Sequence, residues 1–300
     1  MHVFVTGASG WVGSAVVPEL LAAGHRVTGL ARSEASADAL LTLGASAHRG
    51  SLEDLDALRA ASEKADGVIH LAYRHDIAFS TNPALAAATD LQAIEAIGAC
   101  LAGSDRPFVI ATGLGGLPAG RTATEQDRAT EDRPGGLRAE ATARTLDFAD
   151  RRVRASVVRL PPSVHGAGDT GFISTLVRIA RNKGTSAYIG SGGNRWPAVH
   201  RHDAARLFRL ALEGAPAGSV LHAVDDGGVA LRSVAESIGH QLGLPVIPVS
   251  PEDAGAHFGG LAGLVGSDLP ASSSATRNLL DWQPFHPNLL GDLSGGHYFA

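Results

Sequence analysis

Thr6-Gly7-Ala8-Ser9-Gly10-Trp11-Val12-Gly13 follows an apolar run that starts at His2 and precedes an amphipathic stretch. Strand, glycine turn and helix therefore arrive in the order that a dinucleotide site needs. The glycines let the backbone turn sharply and lie close to a pyrophosphate. A helix opening near Trp11 would aim its unpaired amides and the positive end of its dipole at the phosphates. Gly7, Ser9, Gly10, Trp11, Val12 and Gly13 are the candidate contacts of that group.

Working outward, short apolar runs alternate with helical patterns. Strands are predicted over 2–6, 26–31, 45–48, 67–71, 108–112 and 155–160, and helices over 11–23, 33–43, 52–61, 82–101 and 137–150. Near-continuous apolar strands alternating with helices imply a parallel sheet covered on both faces. Right-handed crossovers make it an α/β doubly wound sheet, a Rossmann fold. After Pro161-Pro162 the pattern loosens. Helices are expected over 172–182, 202–213 and 231–242 and a strand over 246–249, while the glycine-rich 259–266 stretch has no assignment. The expected division is a dinucleotide-binding domain over 1–162, with a return segment at about 197–224, and a smaller, mainly substrate-binding domain over 163–300. The substrate pocket should lie between them, at the carboxyl edge of the sheet.

Three hundred residues suffice for a sizeable core. A net charge of -5 without a basic run argues against a nucleic-acid partner. The single cysteine, Cys100, allows no intrachain disulfide and fits a reducing compartment. No signal peptide is expected ahead of a strand that starts at the second residue. No membrane span is expected either, so the chain reads as cytoplasmic.

The chain leaves its second strand at Ala31-Arg32-Ser33, where an NAD site usually carries an acid for the ribose 2′-hydroxyl. Arg32 can instead pair with a 2′-phosphate, which favours NADP(H) over NAD(H). Ser33 can serve as a helix N-cap. Tyr73-Arg74-His75-Asp76 follows the fourth strand at the carboxyl edge, and His75 has a side chain suited to proton transfer. The spacing of His200, His202 and Asp203 lacks a metal-ligand pattern, so no metal is expected.

With the glycine motif, His70-Leu71-Ala72 and the stretch Arg159-Leu160-Pro161-Pro162-Ser163-Val164-His165-Gly166, the chain resembles the extended short-chain dehydrogenases, the NAD-dependent epimerase/dehydratase family. Val199-His200-Arg201-His202-Asp203-Ala204-Ala205 is similar to that family's Val-His-x-x-Asp-x-Ala segment. Leu280-Asp281-Trp282-Gln283-Pro284 is similar to its Leu-Gly-Trp-x-Pro element. The resemblance spans nearly the whole chain. It implies that Ser51, Leu71, Ala72, Pro161 and Ser163 line the cofactor, with Ser51 where the family has an acid. It also implies a possible homodimer.

In that family a serine, a Tyr-x-x-x-Lys pair and an asparagine form the catalytic set. Here Thr112 stands at the serine position and Asp90 at the asparagine position. The pair is absent: the expected helix begins Pro134-Gly135-Gly136-Leu137-Arg138, and none of Tyr73, Tyr188 and Tyr298 has a lysine four residues on. The chain thus looks like an atypical member, with Thr112, Arg138 and His75 as catalytic candidates. Thr112 would hold a substrate oxygen, and Arg138, with Arg133 as a fallback, would bind ribose or stabilise an oxyanion. Guanidinium is a poor proton donor. The expected activity is NADP(H)-dependent hydride transfer between nicotinamide and a small carbonyl or alcohol. The alternatives are a sugar-nucleotide epimerase or dehydratase and a non-catalytic dinucleotide sensor.

Overall fold

The computed structural model describes residues 1–78, 82–133 and 135–300. Seven parallel strands form one sheet, in the order β10-β6-β5-β4-β1-β2-β3. They are β1 (His2–Thr6), β2 (Arg26–Ala31), β3 (Ser46–Arg49), β4 (Gly67–His70), β5 (Pro107–Gly113), β6 (Arg154–Leu160) and β10 (Ser219–His222). The chain winds one way through β1, β2 and β3, then the other way through β4, β5 and β6. The switch point therefore lies between β1 and β4, directly above the glycine turn, where open α/β sheets bind ligands.

Helices α1 (Gly13–Ala22), α2 (Glu34–Thr42) and α8 (Arg201–Gly214) cover one face. Val16, Leu20, Leu40, Phe208 and Leu212 bury themselves there against Val5, Ile69 and Val109. Helices α3 (Leu55–Glu63), α5 (Pro83–Leu101) and α6 (Ala139–Asp147) cover the other, with Leu58, Ile94, Ile97 and Phe148 on Phe4, Phe108 and Ile110. The short α4 (His75–Ala78) lies between β4 and α5. The central strands β1, β4, β5 and β6 are thus apolar toward both faces, which is why they show runs rather than alternation. Helix α5 has the length and composition of a membrane span, but half of that window is buried in the fold. It is a core helix, and its burial explains its apolarity.

The remaining chain makes a smaller unit. A three-stranded sheet β11-β9-β7 joins β7 (Ser163–His165), β9 (Arg195–His200) and β11 (Asp226–Ala230), and a two-stranded one pairs β8 (Ser186–Ile189) with β12 (Val246–Val249). Helices α7 (Phe172–Lys183), α9 (Leu231–Leu242), α10 (Ala254–Phe258), α11 (Ala262–Val265) and α13 (Leu289–Ser294) enclose Leu176, Trp196, Val234, Phe258 and Leu293. Helix α8 and β10 bring the chain back to the main sheet, whereas β9 belongs to the small one. The unassigned 259–266 stretch folds as a 3-10 turn and α11. Helix α12 (Ser274–Leu280) packs on β10 and α8.

The long connection after β5 is tied to the C-terminal segment. Ala123 bridges Ala271, and Glu125 accepts both the Thr276 amide and its hydroxyl at 2.8 Å. Behind it, buried Arg159 donates to the Asp127 carbonyl and approaches His222 Nε2 at 3.3 Å, while His222 Nδ1 lies 2.8 Å from the Ser272 carbonyl. Burial, followed by the Arg159 charge, pushes His222 down to about 4. Burial, followed by neighbouring His286, does the same to His200. Both rings take up a proton on unfolding below their ordinary 6.5. Their contribution to stability is complete above that value and declines as pH falls toward about 4. The urea midpoint should therefore drop across this window, and His200→Asn, which keeps a cap acceptor, should flatten the slope. A midpoint constant from neutrality to that lower pH contradicts this account.

Candidate active site

The glycine turn is built for close approach. Gly7 has φ +67°, and a Cβ on it would sit 2.6 Å from the Ala72 amide nitrogen. A Cβ on Gly13 would sit 2.1 Å from the Gly7 carbonyl oxygen. The regular helix starts at Gly13 rather than near Trp11, and Val12 at its N-cap offers no side-chain cap. Among the described residues, the Trp11 and Val12 amides have no backbone acceptor. Ser9 and Gly10 are exposed at the mouth. The Trp11 indole turns away, donating to the Val164 carbonyl at 2.8 Å with the Arg201 guanidinium over its ring. Its side chain ties the turn to the smaller unit, while its backbone amide stays open.

At the end of β2, Arg32 is exposed and has no hydrogen-bond or ion-pair partner among the described residues, though its charge is felt at Asp76. Ser33 caps α2 through a reciprocal pair with Ser36. Ser51 hydrogen-bonds Glu53, which pairs with Arg74, and Arg74 also grips Asp76 at 2.8 Å. Leu71 and Ala72 are partly buried beside the turn, Pro161 is buried, and Ser163 Oγ is buried without a partner.

The carboxyl edge carries a polar row on the α5 face. Thr6 pairs in register with His70, and Thr112 with Arg159 and Arg159 with His222. Thr6 Oγ1 lies 2.9 Å from His70 Nδ1, and His70 Nε2 lies 3.1 Å from Asp90 Oδ1. The Ala72 amide donates to Thr6 Oγ1, so the Thr6 hydroxyl is left to donate to Nδ1 and the ring Nε2–H to Asp90. Asp90 is fully buried and accepts a fork from Arg138, Nε to Oδ2 at 3.0 Å and Nη2 to Oδ1 at 3.1 Å. Arg138 Nη2 also donates to the Ala111 carbonyl at 2.7 Å. Burial raises the Asp90 carboxyl, but Arg138 and His70 together hold it below its ordinary value. Arg138 is therefore a fixed, partly buried cation and not a solvated helix-start arginine. Its Nη1 has no hydrogen-bond partner among the described residues.

Beside the Ala111 carbonyl, Thr112 Oγ1 is buried without a partner. An orphan hydroxyl there costs stability unless something accepts its proton. His75 packs edge-on against Tyr73 at 5.1 Å between ring centroids. Burial, then the Arg138 charge, lowers its basicity, so the ring stays neutral near pH 7. Arg133 is partly buried, and Pro134 lies outside the described residues.

Tyr188, Asn194, Arg195 and Trp196 pack within the smaller unit. Trp196 donates to the Leu264 carbonyl, Asn194 to Val265 and Ser267, Arg195 pairs with Asp268, and Tyr188 lies under Arg232. His165 is buried against Asp292 at 2.8 Å. Asp203 holds the Phe285 and His286 amides, tying the start of α8 to the C-terminal segment. His200, Asp203 and His286 come within metal-ligand range of one another. However, the two imidazoles are stacked at 4.6 Å and 10°, so their in-plane lone pairs do not converge.

The turn that only glycine can make, the open amides beside it and the unpartnered Thr112 hydroxyl at the carboxyl edge fit a pyridine dinucleotide. The sequence pattern of the NAD dependent epimerase/dehydratase family matches residues 3–134. The chain is 46% identical over its full length to an uncharacterised protein of Schizosaccharomyces pombe, covering 100% of both. It is 32% identical to the 2'-dehydrokanamycin reductase of Streptomyces kanamyceticus, over 83% of this chain and 69% of the relative. Its fold matches a dTDP-glucose 4,6-dehydratase from Streptomyces venezuelae solved with NAD, at TM-score 0.79 and 20% identity, over 100% and 97% of the two chains. The protein belongs to the NAD-dependent epimerase/dehydratase family.

Proposed function

We propose that the protein is an NADP(H)-dependent oxidoreductase acting on a small-molecule carbonyl or alcohol, in the cytoplasm. The observation that carries this reading is the unpaired Thr112 hydroxyl beside the fixed Arg138 cation at the carboxyl edge. When bound, the nicotinamide supplies or takes the hydride. Thr112 donates its hydrogen bond to the substrate oxygen. Arg138, held by Asp90 and Ala111, places positive charge where that oxygen becomes negative. The glycine turn and the Trp11 and Val12 amides would hold the pyrophosphate, and Leu71 and Ala72 after β4 would support the ribose side. The reductase relative supports a reduction rather than an epimerisation.

Arg32 carries the preference for a 2′-phosphate, since no acid stands at the end of β2 to repel it. Losing a charge-assisted bond of about 1.5–3 kcal/mol corresponds to roughly 10–100-fold in affinity. Arg32→Ala should weaken NADPH binding by that factor and leave NADH binding nearly unchanged, measured by fluorescence titration. Equal losses for both would remove the 2′-phosphate argument. The activity itself is tested by NADPH consumption over a panel of ketones, aldehydes and quinones. Protein that binds NADPH but reduces none of them sinks the oxidoreductase reading and leaves the dinucleotide sensor.

A further inference from the structure

The tyrosine that the family carries on its active-site helix is missing from α6, yet a phenol meets Arg138 from another direction. Tyr73 follows β4 at the carboxyl edge, and the Arg138 guanidinium carbon lies 4.4 Å from its ring centroid. Asp90 on α5 and the Ala111 carbonyl on β5 fix that guanidinium, so the phenol is seated on a rigid cation beside Thr112. The ring is partly buried, and its hydroxyl has no hydrogen-bond partner among the described residues.

We propose that Tyr73 is the catalytic acid and base: its hydroxyl exchanges the proton with the substrate oxygen, and Arg138 is its partner cation. The inference rests on the oxidoreductase reading and supplies the proton step that reading lacks. In the reducing direction the carbonyl carbon receives a hydride from the reduced dinucleotide. The carbonyl π pair then forms the new O–H bond with the Tyr73 proton, and the Tyr73 O–H pair stays behind as a phenolate. Arg138 stabilises that phenolate, and solvent on the open side restores the proton. In the oxidising direction the same bonds form and break in reverse.

Three charged or titratable groups face the phenol: Arg138 from the turn before α6, Asp90 from α5 and His75 from α4. Burial raises the phenol, Arg138 opposes that rise and Asp90 adds to it. An acid so placed keeps its proton until an oxygen beside it becomes basic. The sequence pointed to this loop but not to this residue, because the contact joins residues 73 and 138 through space.

Tyr73→Phe removes only the hydroxyl and keeps the ring on Arg138, so the fold should hold. It should lower kcat by about 100–10,000-fold, the usual worth of general acid–base catalysis, with KM and NADPH affinity nearly unchanged. The second readout needs no cofactor. The ultraviolet phenolate titration of wild type minus that of Tyr73→Phe isolates this phenol, and Arg138→Gln should move it up by about one pKa unit or more. A Tyr73→Phe protein with kcat within about threefold of wild type, or a phenol indifferent to Arg138→Gln, overturns the proposal. If Arg138→Gln does not fold, the kcat against KM split decides alone. A wild-type protein that reduces nothing on the carbonyl panel sinks the oxidoreductase reading instead, and the cofactor-free titration still decides the pairing.

Discussion

Gly13→Val should abolish dinucleotide binding while leaving most of the fold in place. A Cβ at Gly13 would lie 2.1 Å from the Gly7 carbonyl oxygen and 2.8 Å from Ala8 Cα, so the atoms in its way are backbone. They cannot rotate aside as a side chain can, and the turn must open. Overpacking of this kind costs about 1–3 kcal/mol in stability. The larger effect is on the site, because the turn that aims the Trp11 and Val12 amides is the part displaced. A loss of at least about 100-fold in NADPH affinity is expected, about 2.8 kcal/mol. Calorimetric titration measures it, with a thermal melt to show that the variant is folded. Binding within about threefold of wild type would mean that the phosphates rest elsewhere.

Asp90→Ala should be the most destabilising single change at the site. It strips the carboxylate from two partners at once, the Arg138 fork and the His70 ring, in a place with no exposure. Removing one member of a buried pair costs about 3–5 kcal/mol, mostly because the other is left charged and dry. Urea unfolding should show a loss of that size, together with loss of turnover as Arg138 comes free. Asp90→Asn keeps an acceptor for His70 and removes only the charge, so it should cost less. Because Asp90 titrates below its ordinary 3.8 when folded, its contribution is present above that pH and disappears as pH falls through the lower folded value. A loss under about 1 kcal/mol for Asp90→Ala would show that the pair is not the anchor described here.

Much of the first half of the chain was legible in its residues. The six expected strands fall within a residue or two of β1 to β6, because all but β3 are short apolar runs closed by glycine, proline or a polar residue. The second half was harder to read. β7, β8, β9 and β11 are three to six residues long and gain their identity only by pairing with strands far along the chain. The 259–266 segment has no periodicity of its own, and its conformation is set by what it covers, including the Trp196 indole and the Asn194 amide.

The site divides similarly. Arg138 and Thr112 were placed by position relative to predicted elements, and both stand at the carboxyl edge. Their chemistry was not legible. Nothing local in the sequence ties His70 to Asp90, or Asp90 to Arg138, across 20 and 48 residues. An aspartate in the middle of an apolar helix was the one available signal, since a carboxylate in such a place needs a cation nearby.

The sequence by itself determined the order of strands and helices, the glycine turn and the absence of an acid after β2. These follow from side-chain periodicity and backbone freedom, which act over a few residues. Only the tertiary structure decided which charges meet. Asp90 takes Arg138 and His70, Arg138 takes the face of Tyr73, and Thr112 is left without a partner. Those pairings depend on desolvation and on distances across neighbouring elements, which exist only once the helices have closed over the sheet.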